Sequence, residues 1–285
     1  MREETVSTKM KLEVLMSAMH LKDFDIAYKT GIKSDLLIVN QCDRNDYKEI
    51  NVEGHLWRMI STTERGLSKS RNMALKHAKG DICLLCDDDE LLVKDYYERI
   101  INAYLELPKA VAIAFNVNRI NNKMKKRYYK IERIKKASMY RGYQSGMLTF
   151  RLDLVRKNHI MFNEKFGSGS SWGGGEEILF ERDIRKKCGV MYEYPIVIST
   201  IDYGTESQWL QGFNKKYFYN LGGYYQDLYQ NNFIIKFLWM IYNCYKLRKE
   251  KELSSIQKMH WMYLGGKGIK KNVTYTEFLD RQESK

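Results

Sequence analysis

Proline is almost missing from this sequence, with two in 285 residues. Together with 44% apolar residues and 21 Tyr, 11 Phe and 5 Trp, that excludes a disordered chain and describes an ordered globular protein. Disulfide staples are missing too. Cys42, Cys83, Cys86, Cys188 and Cys244 form an odd set without framework spacing. Cys83-x-x-Cys86 resembles half a zinc site, yet no second pair or His-x-x-x-His follows it. Both lie in an apolar strand-like run and read as small buried thiols. Reduced cysteines fit a cytoplasmic location. The first residues, MREETVSTKMKLEV, hold no apolar core of signal-peptide length. The apolar stretch Phe233–Tyr245 has 13 residues, fewer than the ~20 a membrane span requires. Acidic charge is in deficit: 35 Asp and Glu against 48 Lys and Arg leave +13. That suits an anionic partner, whether nucleic acid, an acidic membrane face or phosphorylated small molecules, and does not choose among them.

The length accommodates one large α/β domain, with or without a smaller appendage. Strand-like runs at Leu12–Met19, Asp35–Val39, Ile82–Cys86 and Val111–Val117 alternate with helical sequence. Ser68–Ala78 has Ala74, Leu75 and Ala78 at helical spacing, with Ser68 placed to cap it and Gly80 to end it. The alternation predicts a mostly parallel sheet with helices on both faces, whose ligands bind beyond the carboxyl ends of strands. Lys123–Lys136 carries eight Lys or Arg and one Glu; it reads as a solvated helix or loop, or as a contact for anionic lipid or phosphate. Strand-like Met147–Arg151, glycine-rich Phe166–Gly175 and helical Glu176–Lys187 follow. Beyond Asp202 the sequence turns aromatic and helical. That places a catalytic domain at 1–205, with a nucleotide-binding half to about 118 and an acceptor half from about 119, before a helical region at 206–285.

The strand ICLLC runs into Asp87-Asp88-Asp89-Glu90. Four adjacent carboxylates repel one another, which makes a role without a cation hard to justify. Mn²⁺ or Mg²⁺ favours carboxylate oxygens and shares them with substrate phosphates. The competing reading is an acidic helix N-terminus, because Leu91 onward looks helical.

The run Arg65-Gly-Leu-Ser-Lys-Ser-Arg71-Asn72-Met-Ala-Leu, then Gly80-Asp-Ile-Cys-Leu-Leu-Cys-Asp87-Asp88-Asp89, resembles the central motif of the family 2 glycosyltransferases. Phe162-Asn-Glu-Lys-Phe-Gly167 and Trp172-Gly-Gly-Gly-Glu176-Glu177 resemble its second block. The likeness covers about residues 10–205. It implies a GT-A fold and inverting transfer from a nucleoside-diphosphate sugar, a UDP-sugar being favoured, to a saccharide or polyprenyl-linked acceptor. It implies metal ligation by Asp89 with Asp87, while Asp88 reaches the ribose or assists coordination. Ser17, Gln41, Asp43, Arg65 and Arg71 are implied donor contacts, the arginines having solvated helix positions as their alternative. Glu177 is the implied general base, Glu176 its partner toward the acceptor, and Trp172, Gly174 and Gly175 the acceptor contacts. Surface-polysaccharide synthesis in bacteria is implied by analogy.

The chain departs from the family pattern in two places. Gln41 stands where an aspartate usually receives the base, although its amide can both donate and accept. No histidine occurs in Val197–Gly204, leaving Asp202 as a candidate substitute. A sugar nucleotidyltransferase would need a G-x-G-T-R-type loop where Ser17-Ala-Met-His-Leu stands. A nucleic-acid-binding protein would leave both acidic clusters unexplained, so nucleic acid is not an expected partner. Within Phe233–Tyr245, Lys236, Asn243, Lys246 and Glu250 share one stripe. The segment is either a helix packed on the catalytic domain or an interfacial helix, peripheral on an anionic membrane, with Phe237 and Trp239 as lipid contacts.

Overall fold

A computed structural model describes residues 10–121, 129–139, 141–202 and 212–283. The chain divides into two units, one of residues 1–65, 69–162 and 180–205, the other of 66–68, 163–179 and 206–285. The division differs from a single cut near 205, because the glycine-rich 163–179 segment groups with the C-terminal helices.

The first unit holds a ten-stranded sheet in the order β3-β4-β2-β1-β5-β9-β7-β10-β6, with β8 on β10. Its strands are β1 (Leu12–Met19), β2 (Asp35–Gln41), β3 (Asp46–Val52), β4 (His55–Thr62), β5 (Ile82–Asp87), β6 (Glu90–Leu92), β7 (Ala112–Ile120), β8 (Lys135–Lys136), β9 (Leu148–Arg151) and β10 (Met191–Asp202). β4, β2, β1 and β5 form a parallel block. Successive residues of β1 and β2 feed opposite cores. Val14, Met16, Leu36 and Ile38 pack with Tyr96 and Ile100 of helix α3 (Tyr96–Glu106). Leu15, Leu37 and Val39 pack with Ala74 and Leu75 of α2 (Leu67–His77) and with Phe180 and Ile184 of α5 (Glu176–Lys187). This two-sided burial accounts for the continuous apolar runs. Short helices α1 (Asp25–Lys29) and α4 (Leu152–Lys157) complete the unit.

Several expectations need correcting. α2 begins at Leu67, so Ser68 lies in its first turn, where its hydroxyl donates to the Phe166 carbonyl (2.6 Å). The helix ends at His77, and what Gly80 supplies is room: a Cβ there would stand 2.6 Å from that of buried Glu13. Leu91 is not helical, for Glu90–Leu92 pairs antiparallel with Ser199–Ile201 of β10. Of the basic stretch, residues 123–128 lie outside the described residues. The described remainder is a loop with residues 132–136 exposed, tied at its end where Lys135–Lys136 pairs with β10 and the Lys135 ammonium lies 3.5 Å from the buried Glu193 carboxylate.

The second unit is built on α6 (Lys215–Tyr229), α7 (Phe233–Lys246), α8 (Ser255–Lys270) and α9 (Tyr275–Glu283). Close approach of α6 to α8 depends on glycine. A Cβ on Gly222 would strike the Met262 carbonyl, and one on Gly265 the Tyr219 carbonyl.

Candidate functional site

In the first unit, parallel pairing brings three carboxyl-terminal strand ends into line. Ser17 of β1 sits opposite Val39 of β2 and Asp87 of β5, and Gln41 opposite Met19. α2 then supplies side chains to that edge. Ser70 donates its hydroxyl to Ser17 Oγ (2.8 Å), and Arg71 places Nη2 3.2 Å from Asp87 Oδ1. The Arg71 side chain is 4% exposed and its guanidinium lies 5.4 Å from the Phe162 ring centroid. A cation so buried is held in place by its pairing and packing. Next to it, Asn72 reads the Phe162 backbone in both directions: Nδ2 donates to its carbonyl (3.0 Å) and Oδ1 accepts from its N–H (2.7 Å). The Arg-Asn pair thus divides its work, one residue facing the aspartates and the other fixing the helix.

Asp88 and Asp89 form a two-residue turn between β5 and β6, and both are exposed. The crowded protein around them raises both carboxyls, and neighbouring carboxylate charge raises them further: Asp89 and Asp87 act on Asp88, Asp87 on Asp89. Glu90 does not belong to this group. It is buried and one carboxylate oxygen accepts from the Asp87 N–H (3.3 Å), bracing the turn from below. Because β6 is a strand, the acidic run does not open a helix. They fit a hard cation in type and charge, one that would take its remaining oxygens from water and a diphosphate. Among the described residues no set of three or more His, Cys, Asp or Glu is arranged to hold a metal. Asp202, the candidate for a further ligand, accepts from Asn121 Nδ2 (2.8 Å).

The other implied donor contacts are placed unevenly. Gln41 is buried at the end of β2, while the Asp43 side chain is 90% exposed and 3.9 Å from Arg44. Arg65 folds back on the backbone, donating to the Thr62 (3.2 Å) and Glu64 (3.4 Å) carbonyls. Cys83 and Cys86 are buried in β5 on opposite faces of the sheet, Cys83 in one core and Cys86 in the other, and burial pushes both thiols up.

In the second unit the acidic pair opens α5, whose residues 176–179 group here while 180–187 group with the sheet. Glu176 is buried and Glu177 half-buried, both in a first turn where backbone N–H groups favour negative charge. The preceding loop is packed rather than open. Trp172 is 3% exposed and stacks on Tyr219 at 5.5 Å and 19°, so its ring serves the helical core instead of offering a face to a sugar. Gly175 has φ +116°, and a Cβ there would meet the Tyr224 ring at 2.6 Å; its bareness admits that ring. Gly174 is exposed, and the Glu176 carboxylate is 4.0 Å from where its Cβ would stand.

Ser70 and Asn72 were given no role from the sequence beyond their place in the motif, and Glu90 was grouped with the aspartates. Ser70 had a signal, since it lies four residues before Ala74 on the buried face of α2, where a polar side chain needs a partner.

Residues 17–171 match glycosyl transferase family 2. No curated protein matches the chain. A crystal structure of S. aureus TarS 1-349 in complex with UDP-GlcNAc superposes with a TM-score of 0.57 at 13% identity, over 94% of this chain and 77% of that one. The TarS 1-349 complex with UDP gives 0.54, also at 13% identity and over the same shares. A longer TarS structure gives 0.56 at 13% identity, over 86% of this chain and 44% of that one. At such identity the likeness establishes the fold, the GT-A arrangement that the motifs imply. The matched span includes the three aspartates and ends before Trp172 and the acidic pair.

Proposed function

This chain belongs to glycosyl transferase family 2, and from that premise we propose that it transfers a sugar, with inversion, from a nucleoside-diphosphate donor to a hydroxyl of a saccharide or lipid-linked acceptor. The observation that carries the donor reading is the meeting of Ser17, Arg71 and the Asp87–Asp89 turn at the carboxyl ends of β1 and β5. A uridine nucleotide is the favoured donor, in keeping with the UDP and UDP-GlcNAc complexes of TarS. Asp89, with Asp87, would hold Mn²⁺ or Mg²⁺, which when bound neutralises the diphosphate leaving group. Arg71 keeps Asp87 oriented and partly neutralised; Asp88 is assigned to the ribose. Gln41 is the residue proposed to meet the base, being fixed at a strand end where Asp43 is turned to solvent. Glu177 takes the proton of the attacking hydroxyl as general base, and Glu176 and Gly174 contact the acceptor. Surface-polysaccharide synthesis in bacteria and a cytoplasmic location, consistent with five free cysteines, complete the proposal.

A thermal-shift series with nucleoside diphosphates and nucleotide sugars, each with and without Mn²⁺, tests the donor reading. A uridine diphosphate that stabilises the protein only with metal is the expected result. Stabilisation indifferent to metal, or none by any nucleotide, overturns it.

A further inference from the structure

Helix α7 wears its polarity inside out. Two members of its polar stripe, Lys236 and Asn243, face the protein: the Lys236 ammonium donates to Gln226 Oε1 and to the Gln230 carbonyl, both at 2.7 Å. Buried Asn243 donates to the Tyr225 hydroxyl and the Trp239 carbonyl. Trp239 belongs to the same inward side, stacked with Tyr229 at 6.4 Å and 12°. The opposite side is apolar and bare. Phe233, Ile234, Phe237, Leu238, Ile241 and Tyr245 follow the spacing i, i+1, i+4, i+5, i+8, i+12, and their exposures run from 41% to 71%. Six large apolar side chains along one face exceed the scattered exposure ordinary on a protein surface, and such patches mark interaction sites.

Charge identifies the occupant. No Asp or Glu occurs from 228 to 249, and the helix runs out into Lys246, Arg248 and Lys249, all exposed. The Arg248 guanidinium lies 4.3 Å from the Tyr245 ring centroid, so the cationic end joins the apolar face directly. At 14 residues the helix is about 21 Å long, and no helix among the described residues is long and apolar enough to cross a membrane. Apolar side chains on one face with cations at its end complement lipid tails beneath anionic headgroups. We infer that α7 is a membrane-docking element: its outward face inserts shallowly, in plane, into an anionic bilayer, and Lys246, Arg248 and Lys249 sit on the headgroups. The inference goes beyond the proposed transfer reaction and does not depend on it.

The test is flotation of the full chain with vesicles of phosphatidylglycerol and phosphatidylcholine, against phosphatidylcholine alone, at low and high salt. The expected result is binding to the anionic vesicles, weakened by high salt. The combined Phe233→Ser, Phe237→Ser and Ile241→Ser variant should lose about tenfold or more in binding with an unchanged melting temperature. Lys246→Glu with Lys249→Glu should weaken binding to anionic vesicles. Ile234→Glu alone serves if the triple variant does not fold. Vesicle binding equal in the wild type and these variants overturns the inference. So does a lipid-independent dimer that the apolar variants dissolve while vesicles bind nothing.

Discussion

The two acidic clusters of this protein carry the same charge in opposite ways. Asp87, Asp88 and Asp89 stand on a strand-end turn, with a buried guanidinium at Asp87, and the surrounding protein and then neighbouring carboxylates raise Asp88 and Asp89. Glu176 and Glu177 open a helix, whose first-turn N–H groups favour an anion. Carboxylates short of positive charge suit a cation and a diphosphate. Carboxylates that backbone dipoles keep ionised suit the proton-acceptor role proposed for Glu177.

That contrast breaks most sharply at Glu177. Glu177→Gln keeps size and hydrogen bonding, so donor affinity should hold while turnover falls by about 10²–10⁴, or ~3–5 kcal/mol of activation. Steady-state transfer and donor titration on the same variant check this. Full activity here with an inactive Glu176→Gln would move the base to Glu176, and activity in both would remove the pair from the mechanism.

Asp89→Ala addresses the other cluster. It should leave the unliganded melting temperature unchanged, since an exposed turn carboxylate adds little packing. It should abolish the metal-dependent stabilisation by nucleotide, worth about 2.7 kcal/mol at a ligand concentration 100-fold above Kd. Equal nucleotide stabilisation in both proteins would dissolve the distinction between the clusters.

Arg71→Ala removes the counter-charge and leaves a hole beside Phe162. A loss of about 1–3 kcal/mol in denaturant unfolding is expected, discounted because Asp87 remains partly solvated. The loss should shrink in Arg71→Ala combined with Asp87→Asn, where no carboxylate is left unpaired. The smallest effect is Ser70→Ala, about 1 kcal/mol for the lost hydrogen bond to Ser17, again read by denaturant unfolding. A neutral result would show Ser17 satisfied without it.

Much of this was legible in the sequence because the relevant patterns are local. The buried strands β1, β2 and β5 announce themselves as apolar runs, and α5 as Glu176–Lys187. β3 does not: DYKEINV is exposed along nearly its whole length and pairs only with β4, so no core imposes an alternation on it. β10 is broken by an irregularity between Glu193 and Val197, around Pro195, which interrupts the two-residue period. The candidate aspartates could be named from their motif. Arg65 turns to backbone carbonyls close by in the chain, whereas Glu90 leaving the group and Trp172 becoming core depended on distant residues, Ile201 for Glu90 and Tyr219 for Trp172.

By itself the sequence determined the α/β alternation, the family and the chemical type of each candidate group, since short-range periodicity and motif spacing encode these directly. Tertiary structure alone decided which charges are answered and which faces are covered. Helix α7 is the clearest case: its composition admits either orientation, and hydrogen bonds from Lys236 and Asn243 to α6 and the turn after it hold those two polar side chains inward. The physical reason is that burial and pairing are properties of neighbours across the fold. A side chain's type states what it can do, and its surroundings set whether that capacity is used for packing or left for a ligand.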